Sequence, residues 1–597
     1  MVDTPTADTP AEPDISHVNP AAEATWFGHP RQLARLFTTE MWERFGYYGM
    51  RALLTLYLTK HFIFGDRQAT GLYGGFTALV YLTPLVGGYL ADQYLGSKRA
   101  VKFGALMMSL GYFTLCFGGQ TSQPFATVDG QRYQVQVVDQ GGAETRYVVD
   151  GAQRLRIKGN DDKSVDLLAG DGSVARHVEP NAFVSDAERS PFFVAVMLLA
   201  LCMVSVGNGF FKPNISTMVG ELYAPGDRRR DTGFTIFYMG INIGSLGSQI
   251  LCPFLATAVG WWAGFGLAAI GMLISFALIQ FNGGKLAGYG EPPVGQPASR
   301  AAGIFALATL GVPAFYLLFV NLMNAPEPVP GSGIVGYIVS LSLMGKLLFG
   351  TFLIGVPAIL IWSYAAGDRR EFQMMLAAMV LIVFNVVFWT LFEQAGSSLT
   401  LFADRNTELS VFGLFNISAG QTQFFNAAFI VILAPIMAAM WTRLAAAGRE
   451  PSIPVKFGVA LVGVGAGFLF LVWGGQFAGD DFKVGLWWLA GLYFIHSAAE
   501  LCISPVGLSM ITKLSIARIV GLMMGVWFLS ISVAQYVAGV VAQVASVETV
   551  GGQVTNLKVS LDTYNGVFWT IGLVSAGIGL FLLLISPVIR KWMHGVQ

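Results

Sequence analysis

The stretch EMWERFGYYGMR, Glu40 through Arg51, places two carboxylates and two guanidiniums inside a segment that otherwise reads as a membrane-spanning helix. At about 100° per residue and with Glu40 at zero, Glu43 falls at roughly −60°, Arg44 at +40°, Tyr47 at −20°, Tyr48 at +80° and Arg51 at +20°. All six share one face, about 140° wide by the same helical count. A charge at the bilayer centre costs about 2.5–3.5 kcal/mol, so four facing lipid would cost on the order of 10 kcal/mol, comparable with the whole stability of a protein. The stripe is therefore expected to face the protein interior or a watery cavity. A carboxylate beside an arginine changes protonation as water access changes, which is chemistry suited to carrying a proton. A self-neutralising structural cluster is the alternative, and it leaves no need for two carboxylates and two tyrosines.

Other polar residues sit at helical spacing in apolar runs. Lys212 is followed at once by Pro213, and a helix-bending proline is tolerated where a cavity is lined. A buried lysine implies a carboxylate, from the protein or from a ligand. Glu393 follows Trp389 by four residues and precedes Ser397 by four; His496, Glu500 and Ser504 repeat that spacing, as Tyr238, Asn242 and Ser245 nearly do, and Asn426 follows Gln423 at i+3. For Asn242 and Asn426, ordinary interhelical hydrogen bonding, worth under about 2 kcal/mol, is the competing reading. His496 reads as packing, and Trp389, Trp527 and Phe528 as packing or pocket walls. Two cations, Arg51 and Lys212, lie before the middle of the chain and two carboxylates, Glu393 and Glu500, after it. A cavity between them would have a positive and a negative wall, the polarity of an extended zwitterion. Asn242 and Asn426, with the Tyr47 and Tyr81 hydroxyls, could bind a peptide bond.

The elements that must position these residues are apolar runs. The 597 residues are 54% hydrophobic and 12% charged, too little charge for a soluble surface. Many runs approach the roughly 20 residues that span a bilayer. Spans are expected near 34–62, 69–94, 99–119, 191–219, 231–256 and 260–281, then near 302–324 and 335–365, then near 370–399, 421–446, 454–477, 484–511, 518–544 and 564–590. Six, two and six make fourteen, with the central pair inserted between equal halves. The corresponding division is a disordered cytoplasmic tail over 1–30, an N-terminal bundle over 31–282, a linker with two extra helices over 283–368 and a C-terminal bundle over 369–597. Two six-helix halves are the layout of the major facilitator superfamily, with substrate at the midplane between them. The expected class is thus an all-α membrane protein with a small β-rich extramembrane insertion.

Residues 120–190 alternate apolar and polar positions and contain three Asp-Gly pairs, a signature of β-hairpins, with a floppy loop as the alternative. VETVGGQVTNLKVSLDT, before the last span, is expected to add strands. Basic short loops (GSKRAVK, GDRRRD, TRLAAAGREPSIPVK, TKLSIAR and RKWMHGVQ) share one side, which puts both termini in the cytoplasm and the β-insertion outside. Zero net charge points to no nucleic-acid partner. The four cysteines lie in apolar runs without metal or disulfide spacing and read as small buried hydrophobes.

Several motifs carry a resemblance. Glu40-x-x-Glu43-Arg44-Phe45-x-Tyr47-Tyr48-Gly49-x-Arg51 resembles the first-helix signature of the proton-dependent oligopeptide transporter family. GNGFFKPNIS (207–216), FTIFYMGINIGSL (234–246), FWTLFEQAGSSL (388–399) and AELCISPVGLS (499–509) resemble its fourth-, fifth-, seventh- and tenth-helix motifs, and GGYLADQYLGSKRA (87–100) resembles the superfamily's loop between helices two and three. The resemblance covers nearly all of the chain outside the tail and the 120–190 insertion. It implies a bacterial-type proton-coupled importer of di- and tripeptides in the inner membrane, with no cofactor and acting as a monomer. It implies proton coupling at Glu40, Glu43, Arg44 and Glu393, and peptide contacts at Arg51, Tyr47, Tyr48, Tyr81, Lys212, Asn242, Trp389, Asn426, Glu500, Ser504 and Trp527. Glu500 would take the peptide amino terminus, Arg51 with Lys212 its carboxylate. Arg51–Glu393 and Lys212–Glu500 would pair across the halves, and Asp92 with Arg99 would latch a cytoplasmic gate. The chain has Asn426-Ala427 where relatives often have Asn-Pro, and no histidine in span two. A sugar or nitrate facilitator is the rival within the superfamily; the sequence holds no HExxH, G-x-S-x-G or P-loop that would favour an intramembrane enzyme. A peptide-sensing receptor without transport is the further alternative.

Overall fold

The computed structural model describes residues 25–596 except 141–142, 152, 181, 225–226, 228, 327–332 and 505. The disordered tail expected over 1–30 falls outside the described residues as far as 24; Thr25–Trp26 pairs antiparallel with His29–Pro30. The chain then folds into helices α1 (Gln32–Leu56), α2 (Asp66–Leu90), α3 (Ser97–Leu115), α4 (Pro191–Glu221), α5 (Arg229–Ala258) and α6 (Trp261–Gln280). The middle of the chain supplies α7 (Ala298–Met323), α8 (Gly333–Ser340) and α9 (Leu343–Ala366). The remainder is α10 (Arg369–Phe392), α11 (Ser398–Asn406), α12 (Phe424–Ala446), α13 (Ile453–Gly475), α14 (Leu486–Ile503), α15 (Gly507–Leu514), α16 (Val520–Val544) and α17 (Leu557–Trp592).

Among the described residues, twelve helical segments are long and apolar enough to cross a membrane. The two remaining expected spans are helical but more polar: α1 carries Glu40, Glu43, Arg44 and Arg51, and α3 opens on Lys98, Arg99 and Lys102. Both pack inside the first bundle, α1 against α5 and α6, α3 against α4 and α6. One apolar core gathers side chains of α1–α6 with α7, α9 and part of α16; a second gathers those of α10–α17.

Local chemistry sets several helix ends. Asp368 caps α10 with a reciprocal box: its carboxylate accepts from the Glu371 N–H at 2.7 Å, and Glu371 accepts from the Asp368 N–H at 3.1 Å. Asn556 caps α17 by accepting from the N–H groups of Lys558 and Val559, so that helix starts earlier than the expected 564. Three expected single helices are broken. Span 335–365 divides into α8 and α9, with Ser342 capping the second by accepting from the Gly345 N–H at 3.2 Å. Span 370–399 stops at Phe392, tightens into a 3-10 turn over Glu393–Gly396 and resumes as α11 to Asn406. Span 484–511 divides into α14 and α15.

Residues 123–188 form one antiparallel sheet, as the alternation predicts. Its strands are β1 (Gln123–Val128), β2 (Gln131–Gln140), β3 (Ala143–Asp150), β4 (Gln153–Gly159), β5 (Val165–Leu168), β6 (Val174–Val178) and β7 (Phe183–Glu188), in the order β6-β5-β4-β3-β2-β1-β7. The Asp-Gly pairs sit at its turns: Asp129 and Gly130 have φ of 48° and 82°, the positive values a tight two-residue hairpin turn requires. The strands expected before α17 do form, at Thr549–Val550 and Gln553–Val554, but pair with each other rather than joining the sheet. Their Val550 nonetheless enters the sheet's apolar core.

Candidate functional site

The α1 stripe faces the interior: Glu40, Glu43, Arg44, Tyr47 and Arg51 are all buried. Arg44 Nη2 donates to Glu43 Oε1 at 2.7 Å, and Arg44 Nε pairs with the other Glu43 oxygen while standing 3.2 Å from Glu40 Oε1. Asn208 of α4 meets the same guanidinium at 3.5 Å and donates its own amide to the Val80 carbonyl of α2 at 2.8 Å. Asn208 escaped sequence reasoning although it lies inside the GNGFF motif. Three helices thus close around one arginine and two carboxylates.

Two turns along the stripe, Arg51 pairs with Glu393 across the two halves, and its Nε donates to the Tyr73 hydroxyl of α2 at 2.5 Å. The break in α10 serves this contact. Gly396 leaves room for Tyr73, whose hydroxyl occupies the place a Cβ there would take, and its carbonyl accepts from Thr55 Oγ1 of α1 at 2.5 Å. Tyr73 was not singled out from the sequence; its position two turns before Tyr81 on the same helix was the available signal.

Between the halves lies a cavity of about 110 Å³. It brings together Tyr48, Arg51, Tyr81, Trp389, Glu393, Asn426 and Glu500 from the expected set. Asn426 donates to Glu500 Oε2 at 3.2 Å and to Ser497 Oγ at 3.0 Å, so the carboxylate of α14 is held by an amide of α12. Gln249, Gln423, Tyr493 and His496 complete the polar lining. Gln249 extends the Asn242–Ser245 spacing by one turn and was legible to that extent. His496 also packs, with Nε2 3.0 Å from the Val464 carbonyl.

The other expected contact residues stand off this lining. Lys212 holds its ammonium 4.2 Å from the centre of the Tyr81 ring and makes no ion pair among the described residues, so the expected Lys212–Glu500 pair is not formed. Asn242 donates to the Tyr238 carbonyl at 3.0 Å. Ser504 ends α14, and Trp527 is buried against Gly507. Asn242 lies two turns from Gln249 on α5 and Ser504 one turn from Glu500 at the end of α14, both on the side away from the β-sheet, whereas the helices of Lys212 and Trp527 supply none of the described lining residues. Tyr47 is different: it is buried in the first half, with no hydrogen-bond partner for its hydroxyl among the described residues.

On the sheet side the halves are closed. Asp66, at the start of α2, receives both terminal nitrogens of Arg405 at 2.6 Å, and Lys60 meets Asp404 at 2.5 Å. The Val547 N–H and the Tyr564 hydroxyl complete that buried pair at 3.0 and 3.1 Å. With Arg51–Glu393 and Lys558–Asp161, which ties the β-sheet insertion to α17, these are the cross-half ion pairs among the described residues, and none lies toward the opposite end. Sequence reasoning missed Asp66 because it sits in a short polar turn, and Arg405 because it follows the expected end of its span. Away from the sheet, exposure rises along the stripes that leave the cavity, to 60% at Tyr89 and 41% at Tyr238. The cavity opens on that side.

The expected Asp92–Arg99 latch is not closed: both residues are exposed and form no ion pair with each other. The linker occupies the loop instead. Lys98 pairs with Glu291, the Lys98 N–H reaches the Gly290 carbonyl at 2.9 Å, and Glu221 accepts from the Gly290 N–H at 2.6 Å.

Comparison with known proteins gives concordant matches. A family model described as POT family matches residues 172–557. The dipeptide and tripeptide permease A of Escherichia coli (strain K12) is 29% identical over 566 residues, covering 95% of this chain and 94% of the permease. An uncharacterised transporter of Bacillus subtilis (strain 168), YclF, is 31% identical over 576 residues, covering 96% of each. A crystal structure of a peptide transporter POT in complex with sulfate superposes with a TM-score of 0.71 at 28% identity, over 97% of this chain and 99% of that one.

Proposed function

This chain belongs to the POT family, and on that premise we propose that it is a proton-coupled importer of di- and tripeptides working by alternating access. The observation that carries the reading is the Arg51–Glu393 pair. It joins the two halves at the wall of a cavity that also presents Glu500.

In this reading a peptide enters between a cationic wall, Arg51 and Lys212, and an anionic wall, Glu393 and Glu500. Its ammonium is taken by Glu500, which Asn426 already orients, and its carboxylate by Arg51. A carboxylate at Arg51 competes with Glu393; a proton on Glu393 removes the same pairing from the other side. Either event loosens the tie between halves, and both together let the sheet side open. Glu40, Glu43 and Arg44 hold the travelling proton near that tie. Each proton moved across 100 mV contributes about 2.3 kcal/mol, roughly a 50-fold concentration ratio. Lys212, Asn242, Ser504 and Trp527 line the mouth and engage longer peptides and their side chains. Termini and amides are common to all small peptides, so anchoring those admits many side chains. Both walls come from one chain, which supports a monomer as the working unit.

We place the β-sheet outside, the termini in the cytoplasm and the protein in a bacterial inner membrane. The opening seen here then faces the cytoplasm, and Asp92 with Arg99 closes once that end shuts. The test is uptake of labelled dialanine into liposomes holding the purified protein. The reading predicts accumulation that needs an inward proton gradient and is blocked by excess tripeptide, but not by free alanine, glucose or nitrate. Entry no faster than into empty liposomes contradicts it.

A further inference from the structure

The β-sheet does not stand clear of the helical bundle. Between its strands and the sheet-side ends of the helices runs a cleft of about 910 Å³. Besides Arg405, six cations line it: Lys60, Arg146, Arg156, Lys158, Lys483 and Lys558. They come from the turn Tyr57–His61 that follows α1, from β3 and β4, from the turn before α14 and from the start of α17, so the clustering is a product of the fold rather than of a local basic run. Among the described residues two carboxylates, Asp161 and Asp404, share the lining, so the cations outnumber them. Arg405 at the floor is already neutralised by Asp66. Asp404 is engaged by Lys60 and Asp161 by Lys558, whereas Arg156, Lys158 and Lys483 have no ion pair among the described residues.

We infer that this cleft is a receiving site for acidic peptides, which it gathers by their multiple carboxylates at the outer face of the gate. Its volume falls within the roughly 300–1,000 Å³ of small-molecule sites. A cleft of one sign with low-dielectric walls concentrates opposite charge and raises association rates about 10- to 1,000-fold, an effect that salt abolishes. The floor is the gate itself: Lys60 stands nine residues beyond Arg51, in the turn Tyr57–His61 that continues from α1. A peptide carboxylate arriving at Lys60 competes with Asp404 for the same ammonium, weakening a cross-half tie on the path to the cavity. Trialanine, a zwitterion of zero net charge, gains little from such a field, and triglutamate gains most.

The cleft's consequence rests on the peptide-import reading, but binding can be tested apart from transport. Labelled triglutamate is titrated onto the purified full chain at low and at high salt, against the variant Arg156→Ala/Lys158→Ala/Lys483→Ala. The expected result is about tenfold weaker triglutamate binding in the variant at low salt, with the difference lost at high salt and trialanine binding equal in both. Equal triglutamate binding by the two proteins overturns the proposal, as does displacement by an equal concentration of inorganic phosphate, which makes the cleft an unspecific anion site. Dialanine uptake by the same variant, expected to match wild type, separates the two readings. If wild type imports no dialanine, the import reading fails while the titration still decides the cleft.

Discussion

At the residue scale, the charges inside the membrane region were legible because their cost is high. Glu40, Glu43, Arg44, Arg51, Glu393 and Glu500 each needed a reason to sit in an apolar run, and the fold gives every one a partner or a cavity wall. The uncharged polar residues were less legible, since a tyrosine or amide in a helix is cheap enough to need no explanation. Tyr73, Asn208 and Gln249 belong to that class. Lys212 was identified but its partner was not: an aromatic ring stands where a carboxylate was expected. The role of Glu500 gives a clean prediction. Glu500→Gln keeps an oxygen able to accept from Asn426, so the fold should stand, but it removes the charge that would hold the peptide ammonium. A hydrogen bond to a charged group is worth about 1.5–3 kcal/mol, so the KM for dialanine should rise at least about tenfold. N-acetyl-dialanine, which has no ammonium, should be handled alike by variant and wild type. An unchanged KM for dialanine would remove Glu500 from the site.

At the scale of elements, hydropathy predicts where helices are but not where they break. The interruptions at Glu393–Gly396, between α8 and α9 and between α14 and α15 fall at short polar or proline-containing stretches inside otherwise apolar runs, and hydropathy averaged over a span passes over them. What fixes the first is tertiary: a carbonyl turned to Thr55 and a missing side chain beside Tyr73. The hairpin turns of the sheet were readable because Asp-Gly carries its own backbone preference. The crossing of α2 and α16, which joins the halves, rests on a close approach that the sequence does not announce. A Cβ on Gly74 would stand 2.7 Å from the Gly539 Cα, and one on Gly539 would stand 2.9 Å from the Gly74 Cα. Backbone faces backbone, so neither side can yield by a rotamer change. Gly74→Ala is expected to destabilise the protein by about 1–3 kcal/mol, the usual cost of overpacking, and, on the proposed alternating-access reading, to slow uptake. Thermal unfolding in detergent with parallel uptake checks this; a variant with wild-type melting and transport would show that the seam is looser than the geometry implies.

At the scale of the molecule, two bundles, a central helix pair and a β-sheet insertion were all anticipated, because each follows from span count or period-two alternation. The conformation was not. It depends on which cross-half pairs are made at once, and the Asp66–Arg405 pair that shuts the sheet side joins two residues more than 300 positions apart in the chain. Breaking a buried pair by removing one partner costs about 3–5 kcal/mol, because the remaining charge is left buried and unpaired. Asp66→Asn should therefore disfavour the arrangement closed on the sheet side. Spin labels on the α1–α2 turn and on the segment after α11 should report longer distances in Asp66→Asn than in wild type. Identical distance distributions would mean that the pair is not what holds that side shut.

The claim on which the rest depends is that the α1 charges couple protons to peptide movement. The most direct test compares two modes of transport in Glu40→Gln liposomes: dialanine counterflow, which needs only alternating access, and proton-driven accumulation. The account predicts that counterflow persists while driven accumulation is lost. Accumulation at the wild-type level in this variant would contradict it and leave the buried stripe as structure alone.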